Sequence, residues 1–551
     1  MTSLVAGHFV HGIVNGVEAV LLCAGGELGL AVACAEFALN APCEVLFRRG
    51  LHVGLELFAK QLRELRGVLR LFEGGLFPVQ TNLGIALAMR DASHAQVHAH
   101  LGALAVEIGL QLIEDELLTK EECDQADFGE NEEEIDYEKI YNARFKVLKL
   151  AYARAKKNGL MESKAYRTYL EEEKAWLADY ALYMAVKDSF DGKSWDQWEE
   201  DIRLRKPEAI AAYQEQLSAE IDFYEFLQYL FAGQWAGLKT YANEQGIEII
   251  GDIPIYVAMD SADAWAHPEL FQLDEENVPV AVAGCPPDGF SATGQLWGNP
   301  LYRWGYHKET GYQWWISRLA YVFRLYDVVR IDHFRGFDEY FSIPYGAETA
   351  VDGHWEKGPG MDLFWKVREA LGEKPVIAED LGYVTDSVRD LVRDSGFPGM
   401  KVLEFAFDSR DSGSANDYLP HNYPVNSVAY TGTHDNETLA GWWGSISKDE
   451  QKLTREYLCD TYTPEAELNK PLISLIMRSA AKWCVIPMQD YLGLDNKCRM
   501  NTPSTVGTNW KWRIRKNQLS VKLQKEIHAV TLRYGRMNWT EDAEEAAEAE
   551  K

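Results

Sequence analysis

Between residues 137 and 245 apolar residues recur at three- and four-residue intervals between charged faces. This period predicts helices over 137–156, 164–188, 194–205 and 207–245. At residue 247 the pattern changes, and short β-branched or apolar runs end in polar loops. The runs are 247–250, 328–331, 375–378, 400–403, 427–430 and 485–488, with helical stretches expected at 315–324, 363–371, 387–395 and 473–482. Such alternation, with the polar residues gathered just after each strand, predicts an α/β fold: a parallel (β/α)8 TIM barrel with helical insertions. A doubly wound sheet shares the rhythm, but it needs a Gly-rich phosphate loop after a strand, and none of the six runs has one.

On this reading residues 111–246 form a mostly helical subdomain. Residues 247–538 carry strands three to eight of the barrel with their loops, and 539–551, rich in Ala and Glu, are an acidic, solvated tail. Residues 1–110 stand apart. They contain no Trp and no Tyr, Asp91 is their only aspartate, and they hold six of the 13 His. A helix is expected over 58–72, but the first barrel strands are not recognisable. His94, His98 and His100 have metal-like spacing, yet no carboxylate accompanies them and no metal is expected.

The net charge of −30 argues against a nucleic-acid partner, which would need Lys and Arg against its phosphates. No run of eighteen uncharged apolar residues is present, so no membrane span is expected. The first basic residue is Arg48 and Glu27 interrupts the apolar stretch near residues 19–35, which does not read as a signal peptide. Eight cysteines without a C-x-x-C pair favour a reduced, cytoplasmic protein. The 17 Trp and 27 Tyr can stack on flat apolar faces, including those of sugar rings, although core packing is the plainer reading.

Three carboxylates follow strand-like runs: Asp332, Glu379 and Asp435. In a parallel barrel the strand ends converge on one face, whatever their separation in sequence. Glycoside chemistry needs such a set: one carboxylate to attack the anomeric carbon, one kept protonated to donate to the leaving oxygen, and a third to stabilise the transition state. Arg330, two residues before Asp332, suits a partner that keeps it ionised, although a buried structural ion pair is the plainer reading of that pair alone.

The resemblance to a known family rests on six motifs in order. They are Gly251-Asp252-Ile253-Pro254-Ile255-Tyr256-Val257, Gly284-Cys285-Pro286-Pro287-Asp288-Gly289-Phe290-Ser291 and Gly294-Gln295-Leu296-Trp297-Gly298-Asn299-Pro300-Leu301-Tyr302, followed by Arg330-Ile331-Asp332-His333-Phe334-Arg335-Gly336, Ala378-Glu379-Asp380-Leu381-Gly382 and Gly432-Thr433-His434-Asp435-Asn436. In these the chain resembles the 4-α-glucanotransferases, or amylomaltases, of glycoside hydrolase family 77, over about residues 111–538. The resemblance implies Asp332 as nucleophile, Glu379 as general acid/base and Asp435 as transition-state stabiliser. It further implies substrate contacts from Arg330, His434, Asp252, His333, Asp288, Trp297 and Asn436, and from Phe405 and Asp408 on the acceptor side. For Asp252 the alternative is fixing the Ile253-Pro254 turn, and for Trp297 packing of its loop. Implied partners are malto-oligosaccharides, glucose acceptors and soluble α-glucan, and no cofactor is implied.

Residues 1–110 lack the Tyr-, Ser-, Pro- and Gly-rich loops that the family implies there. A shifted reading frame is the favoured explanation, against a divergent segment that still completes the barrel. The third is a catalytically impaired chain that binds glucan. An α-glucoside hydrolase using the same carboxylates is the alternative activity.

Overall fold

The computed structural model describes residues 112–536, apart from 245, 288–290, 383, 409–415 and 504. The helix expected at 58–72, the histidines at 94, 98 and 100, Asp288 and the tail from 539 lie outside the described residues.

The helical block begins with Tyr137–Lys157, capped by the Asp136 side chain, and Lys164–Ser189, capped by Ser163. Against the second packs Ser218–Glu244, with Tyr180 and Tyr224 meeting edge to face. Two expected helices are broken. The 207–245 stretch divides at Leu217, which leaves helical geometry between Pro207–Gln216 and Ser218–Glu244; its side chain is buried in the main core. The 194–205 stretch holds only a 3-10 turn, Trp195–Gln197, and the short helix Glu200–Arg203. There a tertiary bond overrides the helical period, because the Trp195 indole donates to Met259 O at 2.6 Å, while the Trp198 indole turns back locally onto Lys193 O. The Trp195 bond, together with Lys187 and Tyr183 on Asp260, ties the helical block to the loop after the first strand.

Among the described residues ten strands form two sheets: β1 (Ile250–Ile253), β2 (Ala281–Cys285), β3 (Gln295–Pro300), β4 (Val328–Ile331), β5 (Glu339–Pro344), β6 (His354–Lys357), β7 (Val376–Ala378), β8 (Gly399–Val402), β9 (Ser427–Tyr430) and β10 (Trp483–Val485). Six pair side by side and parallel in the order β1-β4-β7-β8-β9-β10. They correspond to the six runs, although β1 starts three residues later than expected and β10 two earlier. The fold is the α/β barrel. Helices Gln313–Leu325, Met361–Leu371, Asp386–Ser395 and Asn469–Met477 lie in the connections.

An antiparallel sheet, β3-β2-β5-β6, rises from the loops after β1 and β4. The hydrophobic pattern gave no sign of it, since β2 and β3 carry glycines and a proline where strand formers are expected.

Strand parity divides the barrel's apolar residues into two sets. Val329, Ile331, Val376 and Ala378 join the core shared with the helices. Ile250, Val328, Ile377, Met400, Val402, Val428, Tyr430 and Val485 form a second cluster on the opposite, inner face of the parallel sheet. Continuing that inward parity past the cluster gives Asp252 after Ile250, Arg330 and Asp332 after Val328, and Glu379 after Ile377. Gly251 has its own reason: a Cβ there would lie 1.9 Å from the Tyr326 ring.

Candidate active site

Arg330 is the hub of the barrel's C-terminal face. Its residue is 3% exposed. One terminal nitrogen donates to Asp252 Oδ2 at 2.5 Å and the other to Asp332 Oδ1 at 2.9 Å, while Nε lies 3.3 Å from Met400 Sδ. The parallel register sets Asp252 opposite Arg330, so strand pairing itself makes the first of these bonds possible. Removing either carboxylate would leave part of a buried guanidinium without its counter-charge. The Asp332 side chain remains 43% exposed, open to a ligand.

Glu379 follows β7. Its Oε1 accepts from Leu381 N at 2.8 Å and its Oε2 from His333 N at 2.7 Å. His333 presents that N–H from a left-handed conformation, φ 51° and ψ 46°, which is uncommon for a residue with a side chain. Burial raises the Glu379 carboxyl to about 8, and the neighbouring charge of Asp332 adds to the rise; Arg330 and the two backbone bonds oppose it without prevailing. Such a group keeps its proton at neutral pH.

Asp435 lies on the turn after β9. Burial acts to raise its carboxyl, but the charge and hydrogen bond of His434, a bond from Asn501 and the charge of Arg330 outweigh it and hold it well below the usual range. His434 Nε2 is 3.4 Å from Asp435 Oδ2, and Asn501 Nδ2 donates to Oδ1 at 2.5 Å. Because Arg330 acts electrostatically on both Glu379 and Asp435 while bonding Asp332, all three carboxylates belong to one cluster. Two carboxyls that share the influence of Arg330 are thus pushed in opposite directions, one neutral and one charged, which is the division that acid catalysis beside charge stabilisation needs.

The other sequence-chosen residues are distributed as follows. His333 packs its ring edge-on against Trp297, with centroids 4.8 Å apart, and burial pushes its imidazole down to about 3. Trp297 stands on β3, 36% exposed, with its indole donating to Gln295 Oε1. Asn436 turns inward and accepts from Thr433 N and Thr433 Oγ1, holding the His434–Asp435 turn. Phe405 meets Tyr418 edge to face, 5.3 Å between centroids, and packs on the barrel's interior cluster. Asp408 is partly buried, beside the undescribed 409–415.

Sequence reasoning missed the loop 499–510. Besides Asn501 it supplies Arg499, which donates to Asp435 O at 2.6 Å, and Trp510, whose ring lies 5.2 Å from that of His434. The loop follows no strand end, so the rule that found the other residues was blind to it. Among the described residues no group of three His, Cys, Asp or Glu side chains fits a metal ion, and no helix is long and apolar enough to cross a membrane.

Comparison with known proteins points the same way as this geometry. The family model for 4-alpha-glucanotransferase, glycoside hydrolase family 77, matches residues 92–519, beginning before the expected boundary at 111. A 4-alpha-glucanotransferase of Clostridium butyricum is 46% identical over 427 residues, 77% of this chain and 86% of its own length. One from Thermus thermophilus is 46% identical over 402 residues, 72% and 80% of the two chains. The structure of the amylomaltase from Streptococcus agalactiae in complex with acarbose is similar at a TM-score of 0.74 and 40% identity, covering 78% of this chain and 86% of that one. By its motifs, its fold and these relatives, the chain belongs to the 4-alpha-glucanotransferase family, glycoside hydrolase family 77.

Proposed function

We propose that this chain moves α-1,4-glucan segments between malto-oligosaccharides by a retaining double displacement, with Asp332, Glu379 and Asp435 as the working carboxylates. The observation that carries the assignment is the raised Glu379 carboxyl beside an Asp332 held by Arg330.

With Oδ1 engaged by Arg330, Oδ2 of Asp332 is the attacking oxygen. It bonds to the anomeric carbon as the glycosidic C–O bond breaks, and the Glu379 proton passes to the leaving oxygen. Asp435, ionised, stabilises the positive charge that develops on the ring, while His434 binds sugar hydroxyls. Arg330, Asp252, His333 and Asn436 shape the same subsite. Trp297 and Asp288 cover the glucan, and Phe405 and Asp408 contact the acceptor.

Esterification removes the negative charge of Asp332, which is one of the two causes of the raised Glu379 carboxyl. The glutamate that has given up its proton then sits in a less repulsive field and serves as base. It takes the proton of an incoming sugar 4-hydroxyl, the hydroxyl oxygen bonds to the anomeric carbon, and Asp332 departs as carboxylate. A sugar held against aromatic faces competes with water through proximity. Free glucose and soluble glucan are acceptors on this reading. A cytoplasmic address suits a chain whose eight cysteines include no C-x-x-C pair.

Purified protein given maltotriose tests the reading. Transfer yields glucose and a ladder of longer sugars without a net gain of reducing ends. Only shorter sugars, with reducing ends rising, would make the chain a hydrolase. Bound but unchanged maltotriose would make it a glucan-binding protein.

A further inference from the structure

A carboxyl group that the mechanism does not use lies directly beneath the turn carrying His434 and Asp435. Glu404 follows β8 in the 3-10 turn Leu403–Phe405, and it is buried. Its backbone N–H extends the β8–β9 pairing to Thr431 O at 3.3 Å. Its Oε1 has no hydrogen-bond partner among the described residues. That oxygen presses on Gly432 so closely that a Cβ there would sit 2.8 Å from it and 3.0 Å from the Asn436 Cβ.

The same turn is pinned at both ends by another buried acid. Thr431 Oγ1 donates to Asp490 Oδ2 at 2.5 Å, and Leu439 N donates to Asp490 Oδ1 at 2.8 Å. Between those anchors Asn436 holds Thr433 from inside the turn, and its side chain also bonds Glu404. The contacts run in one line, from Glu404 through Gly432 and Asn436 to Thr433 and thence to Asp435, whose N–H reaches Thr433 Oγ1 at 3.3 Å.

We infer that Glu404 is a positioning residue, which props the Gly432–Asn436 turn and thereby sets where Asp435 and His434 meet the reacting sugar. The inference rests on the role given to Asp435 above. The groups facing Glu404 identify its working form. Asp490 and Glu437 are acidic; Asn436 is neutral; Arg499 is the cation that acts on it. Burial is the largest influence and the two acids add to it, so the carboxyl is pushed well above its ordinary range and works as the neutral acid. A glutamine reproduces the size and neutrality of that form. An aspartate withdraws it by one methylene, and an alanine removes it.

The test compares kcat and KM of Glu404→Ala, Glu404→Asp and Glu404→Gln with wild type on maltotriose and on maltotriosyl fluoride. Fluoride departs without acid assistance, so the second substrate bypasses Glu379 as acid, though not as base, and still depends on Asp435. Misplacing a reacting constellation by about 1 Å costs on the order of 10²-fold. Glu404→Ala and Glu404→Asp are therefore expected to lose about that much in kcat on both substrates with KM little changed, and Glu404→Gln to recover most of it. Combining Glu404→Ala with Asn436→Ala should cost no more than the worse single change. The inference is overturned if kcat is unchanged and only thermal stability falls, if the fluoride restores full rate, or if glutamine rescues no better than alanine. Asp435→Asn measured in parallel separates the two levels: should it keep its activity, the role of Asp435 itself fails, whatever Glu404 does.

Discussion

The backbone N–H of His333 donates to Oε2 of Glu379 at 2.7 Å, so the residue next to Asp332 in the chain grips the tip of the carboxyl that follows the neighbouring strand. This bond links the ends of β4 and β7 at the point where the proposed mechanism has their side chains cooperate. It also favours the charged form of Glu379, and that form still loses to burial and the charge of Asp332.

From this follows a pH dependence with a definite sign. The folded carboxyl titrates near 8 against an ordinary 4.5, so the folded state holds a proton that the unfolded chain releases. The associated stability is fully present below about 4.5 and is lost as pH rises through about 8. Glu379→Gln should therefore be more heat-stable than wild type at pH 9 and not at pH 4, as read by thermal unfolding. The kcat/KM of wild type should fall on the alkaline side near 8.

Arg330→Met should be costly twice over. It leaves Asp252 and Asp332 without their shared cation, at about 3 kcal/mol of folding stability in urea titration. Transfer rate should fall by on the order of 10²-fold as the attacking carboxylate loses its orientation. Unchanged stability would mean that water already compensates both acids.

Asn501→Ala removes a bond to a charged oxygen of Asp435. Hydrogen bonds to charged groups contribute about 1.5–3 kcal/mol, so kcat/KM on maltotriose should drop roughly 10- to 100-fold. Far-ultraviolet circular dichroism should stay that of the wild type.

Trp297→Ala takes away the ring that packs on His333. Water gains access to the covalent intermediate, and the ratio of reducing ends released to sugars transferred should rise. A fall in rate with that ratio unchanged would mean that Trp297 only packs its loop.

Much of the barrel could be read from the chain because parity and burial leave few options. A run such as Val328-Val329-Arg330-Ile331 has to bury Val329 and Ile331 on one side, which forces Arg330 inward. The same parity carries Asp332 beyond Arg330 and Glu379 beyond Ile377, whereas Asp435, five residues past Tyr430, was picked out by its place after a strand-like run and by its motif. Residues 499–510 were not, since Asn501 reaches Asp435 through a loop whose course depends on contacts far away in sequence. The small antiparallel sheet was hidden by Gly284 and Gly294, which permit backbone approach where propensity expects bulk: a Cβ on Gly284 would lie 2.1 Å from Gln295 O. The break at Leu217 was hidden too, because helical periodicity continues on both sides of it.

The loop that carries Asn501 and Trp510 is itself held from a distance. Ile135 N donates to Lys511 O, Arg513 N to Glu133 O, and the Tyr137 hydroxyl to Trp510 O. Glu133 and Arg513 are separated by nearly four hundred residues. During synthesis, then, a ribosome that has made all three carboxylates has still not made the clasp that steadies Asp435. The nascent chain gains its final form only when residues 510–513 return to 133–137, so its catalytic power should appear with that late closure and not grow gradually with length.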